Sequence, residues 1–446
     1  MNSNEIFVSL DIGTSSVKVI IGEMSDDSLN IIGVGNVESS GLKKGSIVDI
    51  DETVHSIKKA VQQAERMVGM EIHRVVVGVS GNHVRLQECH GVVAVSSENR
   101  EIMNSDIARV IDAAQVMSIP PDREIIDVIP RQFIVDGLEG ITDPRGMLGV
   151  RLEMEGTIIT GSKTVLHNFL RCVERAGLEI TDICLQPLAA GSIALSRDEK
   201  NLGVAMIDMG GGSTTVSVFS KGHLQATGII PIGGEHITKD LSIGLRTSTE
   251  DAEKIKRAHG HGFYDHASEE EVFSVPIIGS DQHQQFNQLE IADIIEARLE
   301  EIFDMVVQEV NNLGFKDVPG GYVLTGGVAS MPGVLELAEV VLENNVRLAM
   351  PDYIGVREPH FTTGVGLIKF AYKNAKIQGR DISTPIQEEM VEEEIMTPQQ
   401  PKPKPNAKIN SNSNSNSNSN LNSKQKPKNE KNLSNRMKRF FGYFFD

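Results

Sequence analysis

The chain has 446 residues, 39% of them hydrophobic, and a formal net charge of −18 at pH 7. That length allows two to four domains at roughly 100–200 residues each, and the acidic balance argues against a nucleic-acid partner, because phosphate contacts need a dense basic surface. Cys89, Cys172 and Cys184 form no CxxC pair and have no histidine cluster beside them; neither a zinc site nor a disulfide frame is expected, and all three read as reduced and buried.

In chain order, residues 1–5 are polar and run straight into a strand pattern, unlike a secretory leader with its charged start and apolar stretch, so a cytoplasmic protein is expected. No stretch approaches the roughly 20 apolar residues of a membrane span. From residue 6 to about 376, short β-branched runs alternate with helical patterns, the rhythm of an α/β fold. Residues 7–20 read as strand, tight turn, strand, with Asp11 at the entry of the turn. A strand is expected over 74–79. Residues 204–218 repeat the first design, with Asp208 entering a turn of Gly210, Gly211 and Gly212. Residues 291–310 carry apolar side chains at helical spacing, and 322–324 form a strand that leads into Thr325, Gly326, Gly327 and Val328 before a helix over 335–342.

After Gly379 the composition changes to an acidic run, a Pro/Lys stretch and a Ser-Asn repeat. Such a segment buries too little apolar surface to order itself, so residues 380–430 are expected to be a disordered, flexible polar linker with a coil span on the order of 40 Å. Wound as a helix, the last segment gathers Leu433, Met437, Phe440, Phe441 and Phe444 on one face, with Phe445 beside them and Lys438 and Arg439 on the flank. That is the pattern of an amphipathic helix lying in a membrane surface, with phospholipids as its partner. The competing arrangement docks this helix on its own body or in a partner's groove, which would not need so long and polar a linker.

The two strand–turn–strand passages suit a nucleoside triphosphate. Glycines let the backbone approach, successive amides and hydroxyls donate to phosphate oxygens, and a strand-end carboxylate holds Mg²⁺ through water. The candidates are Asp11, Gly13, Thr14, Ser15 and Lys18 in the first passage and Asp208, Gly210, Gly211, Gly212, Ser213 and Thr214 in the second, with Asp11 and Asp208 as the Mg²⁺ carboxylates. One such turn occurs in ordinary hairpins; two, far apart in sequence, imply related half-structures facing each other across a cleft. There is no P-loop of the Gly-x4-Gly-Lys-Ser/Thr type and no dinucleotide fingerprint. The third glycine loop, Thr325–Val328, permits flat contact with a base. Glu253 and Lys256, three apart on one helix face, either clasp a ribose or adenine edge or form a surface ion pair.

Together these passages resemble the actin, Hsp70 and sugar-kinase superfamily, with Asp11–Lys18 similar to its first phosphate loop, Asp208–Thr214 to its second and the loop at 324–329 to its adenosine loop. Within it the chain resembles the FtsA family of bacterial division proteins over essentially its whole length, on residues 41–49, 78–83, 233–240 and the terminal segment. The resemblance adds Gly233, Gly234 and Lys239 to the expected nucleotide contacts. It implies an actin-like (ribonuclease H-like) duplicated core: a first subdomain from 1–83, 163–195 and 360–379, a second from 196–227 and 302–359, an inserted subdomain at 84–162 and an outer subdomain at 228–301. The membrane-targeting helix would occupy 431–446. It further implies ATP and Mg²⁺ as cofactors, filaments of the chain with itself, and a role at the cytoplasmic face of the cell membrane at the division septum. There the outer subdomain would grasp the FtsZ C-terminal peptide and the protein would help recruit other division proteins.

Gln186 departs from the Glu-Pro that relatives often carry at this position. Glutamine positions a water but is a poor base, so at most slow hydrolysis is expected. A metabolic kinase on this fold would need a carboxylate base and has no use for a detached amphipathic helix. An Hsp70-like chaperone would need a folded domain where 380–430 stands. A rod-shape filament protein of the superfamily fits less well over 84–162.

Overall fold

The computed structural model describes residues 5–380 apart from 26, 44, 280 and 281, together with 382 and 383. The chain begins with β1 (Glu5–Ile12), β2 (Ser16–Ser25) and β3 (Ser28–Glu38), a short hairpin of β4 (Leu42–Lys43) and β5 (Ser46–Ile47), helix α1 (Ile50–Val68) and β6 (Arg74–Val79). Then come β7 (Arg85–Ala94), α2 (Asn104–Ala114), β8 (Arg123–Val135), β9 (Leu138–Ile141) and β10 (Arg151–Ser162), followed by α3 (Lys163–Arg175), β11 (Glu179–Leu185), α4 (Gln186–Ala194) and α5 (Arg197–Leu202). The next stretch holds β12 (Val204–Met209), β13 (Thr214–Ser220), β14 (His223–Ile230), α6 (Gly234–Gly244), α7 (Thr249–His259), β15 (Val272–Pro276) and β16 (His283–Asn287). It closes with α8 (Gln288–Asn312), β17 (Tyr322–Thr325), α9 (Val334–Leu342), β18 (Val346–Leu348) and α10 (Thr362–Gln378).

Two five-stranded sheets have the same plan, β3-β2-β1-β6-β11 and β14-β13-β12-β17-β18. In each, the first three strands of the half are antiparallel neighbours and the outer two add in parallel. This is the duplicated core that the two similar passages imply. Central strands of such sheets are covered on both faces, which is why β1 is buried along nearly its whole length instead of alternating. The segment between β6 and α3 builds a separate antiparallel sheet, β7-β10-β8-β9, with its own apolar core around Ile107, Phe133, Leu152 and Met154.

Helix boundaries follow local chemistry. Asp49 caps α1 by accepting from the Glu52 amide, two acids occupy its first turn, and Gly69 ends it at φ 71°. Asn287 and Glu290 form a reciprocal capping box at the start of α8. No helix among the described residues is long and apolar enough to cross a membrane. Cys172 and Cys184 are buried, whereas Cys89 corrects the sequence reading: it is only half-buried, on an edge strand of the inserted sheet. Except for Arg380, Ile382 and Ser383, the linker expected over 380–430 and the helix expected over 431–446, with Leu433, Met437, Lys438, Arg439, Phe440, Phe441, Phe444 and Phe445, lie outside the described residues.

Candidate functional site

The β1–β2 and β12–β13 turns are built alike. The Gly13 amide donates to the Ser16 carbonyl at 2.9 Å, and the Gly210 amide donates to the Ser213 carbonyl at 3.0 Å. The turns meet across a cleft. A Cβ on Gly211 would lie 1.7 Å from Ser15 Oγ, and one on Gly212 would lie 2.6 Å from the Thr14 methyl, so only glycine permits this approach. Ser15 Oγ also donates to Glu235 Oε1 at 3.4 Å, joining the first turn to the start of α6.

Both strand-end carboxylates open into the cavity between the turns. Asp11 accepts from Gln186 Nε2 at 2.7 Å and pairs with buried Lys18 at 3.5 Å. Asp208 accepts from Thr363 Oγ1 at 3.3 Å. Its carboxyl sits at the bottom of a narrow cleft, walled by protein but reached by the cavity; desolvation and then the neighbouring Asp11 charge push its pKa up to about 6. This excess of negative charge fits a divalent cation. No group of three or more His, Cys, Asp or Glu side chains able to hold a metal directly occurs among the described residues. Two carboxylate oxygen donors, Asp11 and Asp208, open to the same cavity fit the oxygen-liking, water-retaining chemistry of Mg²⁺.

The third glycine loop forms another wall. Gly326 has φ 92°, and a Cβ there would meet Asp208 Oδ1 at 2.4 Å. Thr325 is buried, donating to the Pro359 carbonyl at 3.0 Å and lying 2.8 Å from Thr362 Oγ1. Gly326 and Gly327 line the cavity; Val328 is buried behind them.

The remaining candidates stand back from the wall. Thr214 is buried and donates to the Ile232 carbonyl at 2.9 Å. Gly233 and Gly234 back the second turn, where the Gly234 amide donates to the Gly210 carbonyl at 3.0 Å. Lys239 is exposed on α6. Glu253 and Lys256 pair with each other at 2.6 Å, and Lys256 Nζ also donates to the Gly234 carbonyl at 3.0 Å and to Thr238 Oγ1 at 2.8 Å. The pair thus braces the backbone behind the second turn.

Glu235, Thr363 and His360 are among the residues at the site that the sequence reading does not single out as contacts. Glu235 lies within the 233–240 stretch already marked, so its signal was at hand. Thr363 and His360, from the α10 approach, belong to no local motif and are brought in by packing.

Duplicated sheets with paired glycine turns across a cleft define the class of actin-like proteins. A solved structure described as MreB5 of Spiroplasma citri bound to ADP shares the fold at TM-score 0.52 and 14% identity, covering 84% of this chain and 98% of that one. The PilM-PilN type IV pilus biogenesis complex gives TM-score 0.55 at 16% identity, covering 81% and 97%. Residues 205–366 match the model of cell division protein FtsA, and residues 81–160 match the SHS2 domain inserted in FtsA. The cell division protein FtsA of Bacillus subtilis (strain 168) is 67% identical over 88% of this chain and 89% of its own length. That of Enterococcus faecalis is 44% identical over 83% and 84%. The chain belongs to the FtsA family of cell division proteins.

Proposed function

We propose that this protein binds ATP with Mg²⁺ in the cleft, assembles with copies of itself, and tethers the FtsZ ring to the cytoplasmic face of the cell membrane at the division septum. The observation that carries the nucleotide reading is the close approach of two like-built glycine turns with Asp11 and Asp208 at their bases. In this reading the amides and hydroxyls of both turns and Lys18 bind the phosphates, and Gly326 and Gly327 face the adenosine. Asp11 and Asp208 hold the Mg²⁺ through water, and the bound ion supplies positive charge that offsets the phosphate charge. Gln186, tied to Asp11 at 2.7 Å, can orient a water but cannot take its proton, so hydrolysis is slow. MreB5, a neighbour in fold, is described as binding ADP.

The subdomain division follows the boundaries drawn from sequence. The core comes from 1–83, 163–195, 196–227, 302–359 and 360–379. The outer subdomain at 228–301 takes the FtsZ C-terminal peptide, and the inserted one at 84–162 meets other division proteins. Residues 431–446 lie in the lipid surface through their aromatic face, and the polar stretch beyond Ser383, which shortens the linker expected from 380 because Arg380 and Ile382 pack on the body, lets the acidic body stand off from an anionic leaflet.

The test is liposome cosedimentation of the full chain and of a truncation ending at Glu430, each with and without ATP and purified FtsZ. Only the full chain is expected to pellet, carrying FtsZ with it. If neither protein binds lipid, the tether reading fails and the terminal segment serves a protein partner instead.

A further inference from the structure

His360 lies on the wall of the same cavity as Asp11, Lys18, Asp208 and Gly327, on the short turn Pro359–Phe361 that precedes α10. Two bonds fix that turn to the third glycine loop, since the Pro359 carbonyl accepts from Thr325 Oγ1 at 3.0 Å and from the Gly326 amide at 3.4 Å. The His360 side chain is 22% exposed, and its Nδ1 is 3.1 Å from Glu358 Oε2. Its Nε2 has no hydrogen-bond partner among the described residues. Phe361 lies tilted against the ring at 4.0 Å between centroids and limits its rotation. The cleft therefore carries an oriented imidazole, anchored through one nitrogen and open at the other, that the nucleotide reading has left without a task.

We propose that His360 is a ligand-contacting residue of this cleft, donating from Nε2 to the anionic part of the bound nucleotide and taking up a proton as it does so. The inference rests on the nucleotide reading and adds a specific contact and its charge. The charged groups around His360 come from every side: Glu358 on its own turn, Asp11 and Lys18 on the first hairpin, Arg257 on α7, and Asp208 across the cavity. Burial first, then Lys18 and Arg257, hold the imidazole below its ordinary pKa, against the opposing pull of Glu358 and Asp11. The ring is therefore neutral in the free protein near pH 7. A polyphosphate brings negative charge into the cleft and raises the pKa in the complex. Because the bound state then holds the proton more tightly than the free state, affinity is highest at low pH and falls as pH rises through the His360 pKa of the complex. Each unit by which binding raises that pKa corresponds to about tenfold in affinity.

The test is calorimetry of Mg-ATP binding to the full chain from pH 6 to 8, in two buffers of different ionisation enthalpy, so that proton uptake is read directly. The comparison is with His360→Gln, which keeps a donor but cannot titrate, and His360→Ala, which removes it. The wild type is expected to take up a fraction of a proton more than either variant and to lose more affinity than they do as pH rises. His360→Gln is expected to lose most of the uptake and flatten the profile, and His360→Ala to bind more weakly at pH 6. Asp208 also titrates in this range, and because a bound Mg²⁺ favours its ionised form it gives up a proton; that release is common to all three proteins, and the His360 share is the difference in proton exchange between the wild type and the variants. Equal uptake and equal pH profiles in all three proteins overturn the His360 contact while leaving nucleotide binding intact. Absence of any Mg-ATP binding to the wild type overturns both readings.

Discussion

Asp208 carries a cost that folding imposes on its carboxyl. Its pKa stands at about 6 in the fold against 3.8 ordinarily, so the folded chain keeps the proton at pH values where the unfolded chain has released it. Stability therefore falls as pH rises from about 4 through 6 and is not regained above that range. Asp208→Asn removes the repulsion from Asp11 and keeps an acceptor for Thr363. Without nucleotide and with chelator present, thermal denaturation at pH 8 should show this variant more stable than wild type by on the order of 1–2 kcal/mol, allowing for water in the cleft. Its melting temperature should also vary less between pH 4 and 6. A variant that melts lower at pH 8 would show that the carboxylate is stabilised by something other than its visible partners. Gly211 and Gly326 are limited by space. Gly211→Asp drives a side chain into Ser15, whose Oγ stands 1.7 Å from the position of the new Cβ. ATP affinity measured by calorimetry should fall at least about tenfold, and unchanged affinity would remove the turn from the site. Gly326→Ala combines φ 92° with a Cβ 2.4 Å from Asp208 Oδ1, a strain of roughly 1–3 kcal/mol that denaturant titration would detect.

Among the elements, α10 ties the second core sheet to the inserted sheet. Thr362 and Thr363 at its start reach Thr325 and Asp208. Midway, Gly366 lets it press on α4, where an added Cβ would meet the Ala189 carbonyl oxygen at 2.1 Å. Near its end Asn374 Nδ2 donates to buried Asp127 at 3.2 Å and Gln378 Nε2 to the Val128 carbonyl at 3.5 Å, both on β8 of the inserted sheet. Gly379 ends the helix at φ 65°, after which Arg380 pairs with buried Asp182 at 3.2 Å and Ile382 returns to the core. Gly366→Ala should push α10 off α4 and lower the denaturant midpoint, with an unchanged slope, by a free energy of roughly 1–3 kcal/mol. A midpoint equal to wild type would mean that the two helices separate without loss.

For the whole molecule, the proposed membrane role rests on the charge of −18 and on the aromatic residues of the last segment. In that proposal an acidic body is repelled by an anionic leaflet, so attachment would fall to the last segment. Phe440→Glu and Phe441→Glu each put a charge where the proposed helix would gather its apolar residues, and should release the protein from anionic liposomes in cosedimentation while Mg-ATP binding persists. Pelleting equal to wild type in both variants would contradict attachment through this face.

The turns around Asp11 and Asp208, the strands over 74–79 and 322–324 and the helix over 291–310 were legible in the sequence because each depends on neighbours in the chain. Hairpin glycines, β-branched runs and helical spacing act over a few residues. The likeness of the two turns also announced a duplicated fold. What only the tertiary structure decided is which distant groups meet: Gln186 with Asp11 across 175 positions, Thr363 with Asp208 across 155, and Ser15 with Glu235 across 220. It also turned the Glu253–Lys256 pair toward the Gly234 backbone and left Cys89 half-buried. Spacing places a side chain on a face of its own helix or strand, but the packing of whole layers determines what that face meets.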